Sequence, residues 1–209
     1  MKTQAVIPTA AVDSTPVRVF LAGATGVIGS QLVPLLVDAG HHVTGMTRSP
    51  GKAASLVAAG ADPVVCDVFD VPTLAAAVGE AHPDLVMHQL TDLPDDWSQF
   101  DEHAAAHNRI RREGTHNLVA AARAAGAERF FAQSVAFELP GEGGAAVADL
   151  EAAVLAYPGV VLRYGRFFGP GTYHREQAPP PPRIHVAEAA RRTVVALSAA
   201  PGIVTVVEE

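Results

Sequence analysis

Gly23, Gly26 and Gly29 stand three residues apart, directly behind the apolar run Val17-Arg18-Val19-Phe20-Leu21-Ala22. An amphipathic stretch, 28–39, follows them. A β-rich run, a glycine turn and an amphipathic run read as strand, tight turn and helix. Gly23 permits a turn that a side chain would block. Gly26 lets the backbone approach a pyrophosphate closely, and Gly29 lets the helix pack tightly on its strand. The helix start offers phosphates open N–H groups and the positive end of a dipole. Gly23, Thr25, Gly26, Val27, Ile28 and Gly29 are therefore candidate ligands of a dinucleotide.

Glycine turns also occur in plain βα units, so the neighbouring segments decide. The next strand-like run, 42–47, leads into Arg48 and Ser49, with Lys52 close behind. A fold that prefers NAD usually has an acidic residue near this strand end, on the ribose 2′-hydroxyl. Here a guanidinium and two hydroxyls, those of Thr47 and Ser49, suit a 2′-phosphate instead. The expectation is NADP, with NAD as the lesser fit, and Arg48 and Ser49 as ligands. The plainer reading leaves Arg48 a solvated surface charge.

The elements that must position these residues alternate along the chain. Strands are predicted over 17–22, 42–47, 63–66, 85–89, 129–134, 160–164 and 203–207. Helices are predicted over 28–39, 52–59, 72–80, 101–125, 146–156 and 186–199. Apolar strands alternating with helices argue for an α/β fold, a doubly wound parallel sheet of the Rossmann type. Ligands in such sheets bind outside the carboxyl ends of the strands. Those ends add Asp67 and Val68 toward an adenine, Gln89, Leu90 and Thr91 toward the ribose and pyrophosphate, then Gln133, Ser134 and Tyr164. Asp67 is equally a turn aspartate. The division expected is a flexible N-terminal extension, 1–16, and one NAD(P)-binding domain, 17–209.

Composition bounds the partners. The chain has 209 residues, 49% hydrophobic and 18% charged, which is ordinary globular material. A formal charge of −7 argues against nucleic acid. Cys66 is the only cysteine, which excludes an internal disulfide and fits a cytoplasmic location. It reads as a small core residue rather than a nucleophile. No apolar run is long enough for a membrane, and the N-terminal stretch lacks the apolar core of a secretion signal.

The Gly-Ala-Thr-Gly-Val-Ile-Gly turn at 23–29, His88-Gln89-Leu90-Thr91, the run 113–122 and the run 162–172 together resemble the extended short-chain dehydrogenase/reductases. The nearest branch is the NAD-dependent epimerase/dehydratase type with its atypical members. The resemblance implies NAD(P)-dependent redox chemistry on a small-molecule substrate. It implies that Ser134, after the fifth strand, positions a substrate oxygen. It also exposes departures. The family's Tyr, with a Lys four residues later, is missing, and no lysine follows Lys52. The substrate lobe after Gly169-Pro170-Gly171 is truncated to a proline-rich stretch, 172–183. Tyr164 is the substitute proton donor, or else a packing residue. Two functions remain open: an NADP-preferring oxidoreductase or epimerase-like enzyme, and a non-catalytic NADP-binding redox sensor or interaction protein.

The other chemical groups read more plainly. His103 and His107 share a helix face but lack a third ligand, so a solvated face is expected there and no metal. His88 is read as buried or beside the cofactor. Arg112 lies on a basic helix face, for solvent, a dimer contact or a substrate anion. The helices 101–125 and 146–156 match the pair that forms a dimer bundle in the family, so a homodimer is expected as an option.

Overall fold

The computed structural model describes residues 15–94 and 97–208; the expected N-terminal extension, apart from Thr15 and Pro16, lies outside them. Strands β1 (Arg18–Ala22), β2 (His42–Thr47), β3 (Asp62–Val65), β4 (Leu85–His88), β5 (Arg129–Val135), β6 (Gly159–Tyr164) and β9 (Gly202–Val206) form one sheet in the order β3-β2-β1-β4-β5-β6-β9. Every pairing in it is parallel. The chain runs outward from β1 to β3, then crosses back beyond β1 to β4. The sheet therefore has its switch point at β1 and β4, where the crevice of such folds lies.

Alternation along the strands builds two cores. Val19 and Leu21 of β1 enter one cluster, and Phe20 and Ala22 the other. The first cluster takes Leu32, Val33 and Leu36 of α1 (Gly29–Asp38), Leu56 of α2 (Ala53–Ala58), and Val186, Ala189 and Ala190 of α7 (Val186–Val195). Helices α1 and α7 pack directly on each other. The second cluster takes Leu74 and Val78 of α3 (Val71–Ala81), Leu118 and Ala122 of α5 (Thr115–Ala124), and Leu150 and Val154 of α6 (Gly141–Leu155). A sheet buried on both faces explains why its strands are continuous apolar runs.

Three features depart from the expected elements. The helix predicted over 101–125 is α4 (Phe100–Arg109), a π-helical turn (Ile110–Gly114) and α5. Helix α6 starts at Gly141 rather than 146, because Pro140 sets an extended N-cap before the glycines. Residues 166–168 form β7 (Arg166–Phe168), which pairs in parallel with β8 (Arg183–His185) as a small second sheet. The truncated lobe, 169–182, runs between them with one bridge, Phe168 to His174.

Candidate functional site

The glycine turn sits at the switch point, and two of its glycines have no room for a side chain. Gly23 has φ +88°, and a Cβ on it would lie 2.5 Å from the Gln89 carbonyl oxygen. A Cβ on Gly29 would lie 2.1 Å from the Gly23 oxygen. A Cβ on Gly26 would meet only the Gly23 oxygen, at 3.3 Å. Helix α1 has no acidic residue in its first turn and no side-chain cap at Ile28. Thr25 Oγ1 is 3.0 Å from Thr47 Oγ1, which ties the turn to the end of β2. Val27 is exposed and Ile28 is buried. An uncapped helix start behind a turn whose glycines keep the backbone bare fits the pyrophosphate of a nicotinamide dinucleotide.

Around this cradle the strand ends converge. Arg48 Nη2 meets Asp92 Oδ1 at 2.7 Å, so Arg48 is ion-paired rather than merely solvated. Ser49 N–H donates to Thr47 Oγ1. Asp67 Oδ1 accepts from Phe69 N–H at 2.9 Å, which is the turn-aspartate role, while Val68 is buried and its carbonyl accepts from Asn117. Thr91 is exposed, and Gln89 is buried beside the Tyr164 hydroxyl. Gln133 Nε2 donates to the Leu90 carbonyl at 3.3 Å.

The loop 89–94 is also held by two histidines. His88 Nδ1 accepts from Leu90 N–H at 3.2 Å, and its Nε2 lies 3.0 Å from Thr115 Oγ1. His107 Nδ1 accepts from Asp92 N–H at 3.3 Å. Burial pushes His88 down to about 4. Burial, then the Arg111 charge, pushes His107 down to about 3. Both are neutral at pH 7, as acceptor roles at Nδ1 require. The expected solvated face at His107 is thus corrected: α4 turns it inward, with 4% of its surface exposed.

Ser134 is where a substrate oxygen was expected, and it has a partner that sequence reading missed. Its Oγ donates to Glu151 Oε1 at 2.6 Å. Glu151, 8% exposed, also accepts from Arg163 Nε at 2.8 Å and Arg163 Nη2 at 2.5 Å. Burial pushes the Glu151 carboxyl up, but hydrogen bonds from Arg163 and Ser134 outweigh it, leaving it below its ordinary 4.5. A cavity of about 440 Å³ opens here, lined by Val135, Phe137, Leu139, Val147, Glu151 and Arg163 among others. The only available signal for Glu151 was an acid set among the inward Ala146, Leu150 and Val154 of α6.

Tyr164 does not join this group. It is 3% exposed, and its hydroxyl lies 2.6 Å from Thr193 Oγ1. Thr193 donates to the Ala189 carbonyl, so Tyr164 is the donor between them. Burial raises the Tyr164 phenol far above 10.0, and the Thr193 bond offsets only part of that. The geometry thus corrects the proton-donor expectation toward packing, on Phe167 at 5.1 Å. Tyr164→Phe should cost about 1 kcal/mol of stability by urea unfolding. It should leave NADPH affinity, by titration calorimetry, unchanged.

A dinucleotide cradle at the switch point of this parallel sheet defines a nicotinamide-dinucleotide-binding Rossmann fold. The chain belongs to the NAD(P)H-binding family, whose model matches residues 23–156. It is 42% identical over 180 residues to a 3-diazoavenalumate denitrifying reductase of Streptomyces sp, covering 74% of this chain and 58% of that protein. It is 32% identical over 119 residues to a 3-beta-hydroxysteroid dehydrogenase of Mycolicibacterium neoaurum, covering 54% of this chain and 30% of the other. The chain thus spans little more than half of the first relative and under a third of the second. In fold it is similar to the Thermus thermophilus UDP-glucose 4-epimerase solved with NAD, with a TM-score of 0.75 at 22% identity, covering 91% of this chain and 77% of that one. Among the described residues no helix is long and apolar enough to cross a membrane.

Proposed function

We propose that this chain is an NADP-preferring oxidoreductase whose small-molecule acceptor needs no proton from a tyrosine. The observation that carries the reading is the bond from the Ser134 hydroxyl to Glu151, which lines the cavity with Gly144 and Val147. No lysine follows Lys52 in the chain to lower a phenol's pKa. Bound in the cradle, the reduced nicotinamide supplies a hydride. An acceptor that already carries positive charge takes a hydride without a general acid. Ser134 has committed its proton to Glu151, so its hydroxyl has no proton left to offer a substrate oxygen. That arrangement suits an electron-poor or cationic acceptor better than a carbonyl oxygen. The Streptomyces relative bears the name of a diazo compound, and a diazonium-type acceptor fits this description.

The test is NADPH oxidation by the purified protein with an arenediazonium salt, against ketones, quinones and enals, each corrected for the uncatalysed rate. Saturable turnover confined to the diazonium supports the reading; turnover of simple ketones sinks it. Tight cofactor binding with no turnover across the panel favours the second reading, a redox sensor. The engagement of Ser134 by a salt-bridged carboxylate is the observation on that side. A homodimer through the segment 101–125 and helix α6 belongs to either reading, and sedimentation velocity would measure it.

A further inference from the structure

The Arg48–Asp92 pair lies across the mouth of the cradle. In the sheet, β2 and β4 flank β1 on either side and run parallel to it. Their following segments therefore emerge at the same edge as the glycine turn, one on each side. Arg48 comes from the segment after β2 and Asp92 from the loop after β4, so a contact between them passes over the turn that follows β1. The adenosine end of a dinucleotide occupies this edge, at the end of β2.

Asp92 is presented rather than merely nearby. Its own N–H is held by His107 and Leu90 N–H by His88; the Leu90 carbonyl is held by Gln133 and the Pro94 carbonyl by the Tyr173 hydroxyl. These anchors come from α4, β4, β5 and the truncated lobe. About a quarter of the Asp92 side chain is exposed, against nearly half of the Arg48 side chain. Arg48 is therefore the more exposed partner, and Asp92 the one held in place by its loop.

We infer that Asp92 is an internal anion that competes with the cofactor for Arg48, holding the guanidinium across the cleft until a 2′-phosphate takes its place. Any dinucleotide must part the pair to seat its adenosine. NADP repays Arg48 with a phosphate of its own; NAD brings a hydroxyl and leaves the guanidinium without an anion. The pair thus opposes both cofactors alike and sets how tightly either binds; the choice between them rests on the phosphate that only NADP returns to Arg48. This rests on the dinucleotide site and on the NADP reading above.

The experiment is calorimetric titration with NADPH and NADH of the wild type, Arg48→Ala, Asp92→Asn and the double variant, with melting temperatures as the folding control. A partly exposed ion pair corresponds to a change of about two- to fivefold in affinity. Asp92→Asn should tighten both cofactors by about that factor. Arg48→Ala should weaken NADPH yet tighten NADH, by the same factor. The double variant should bind NADH no better than either single one, because the pair is lost once. Unchanged NADH affinity in both single variants overturns the inference. So does weaker NADH binding in Asp92→Asn, which would make Asp92 a ribose ligand. The NADP reading fails separately, if the wild type binds both cofactors alike and Arg48→Ala leaves NADPH unaffected. The NADH results stand whichever way that comparison falls.

Discussion

Gly29→Ala is expected to abolish measurable NADPH binding and to lower stability, while Gly26→Ala keeps the fold and loses affinity alone. The added Cβ at 29 would lie 2.1 Å from the Gly23 oxygen and 2.9 Å from Ala24 Cα and carbonyl carbon. All of these are backbone atoms, so the strain cannot be relieved by a rotamer. Helix α1 must retreat from β1, and overpacking of this kind costs about 1–3 kcal/mol. The same retreat withdraws the helix start from the pyrophosphate. At 26 the added methyl meets one oxygen at 3.3 Å, a contact the turn can absorb. That methyl still stands where the phosphates approach the backbone. Urea midpoints and calorimetric titrations on both variants separate the effects. Equal loss of stability in the two would refute the assignment of different tasks to the two glycines.

Glu151→Ala should be the most damaging change outside the cradle. It strands the Arg163 guanidinium and removes the acceptor of the Ser134 hydroxyl in a half-enclosed cavity. Breaking a fully buried pair costs about 3–5 kcal/mol. Arg163 keeps 39% of its side chain exposed, so the loss here should be nearer ~2 kcal/mol. The linkage with pH has a definite sign. The folded carboxyl lies below its ordinary 4.5, so Glu151 contributes stability fully above that value. The contribution disappears as pH falls through the depressed folded value. Glu151→Gln should therefore flatten the acid limb of the stability profile, and thermal melts from neutral pH to pH 3 on both proteins would show it. An unchanged acid limb would mean that the carboxylate does not gain from its partners.

How far residue order alone reached is clearest at particular positions. The central strands were legible because they are buried on both faces and read as apolar runs; β1, β2 and β6 fall within a residue of expectation. The cradle was legible because its demands are local: φ +88° at Gly23 and close backbone approach at Gly29 each concern one residue. Glu151 and Asp92 were not legible, because their meaning depends on partners brought by other elements. Ser134 lies on β5 and Glu151 on α6; Arg48 and Asp92 meet only because β1 separates their strands. The π-helical turn left no compositional trace. Tyr164 misled for a related reason: its place at a strand end says nothing about whether Thr193 of α7 buries its hydroxyl.

The packing of α7 on α1 has a consequence in time rather than in space. The helix that receives the phosphates, formed by residues 29–38, leans on one formed by residues 186–195, and β9 completes the sheet beyond β6. A nascent chain that has exposed only the glycine turn has no support for α1 on that side. Ribosome-bound intermediates released before residue 206 should therefore bind NADPH poorly, although the whole family-matched segment is already translated. Competence for the cofactor arrives with the last strand of the sheet, not with the motif that announces it.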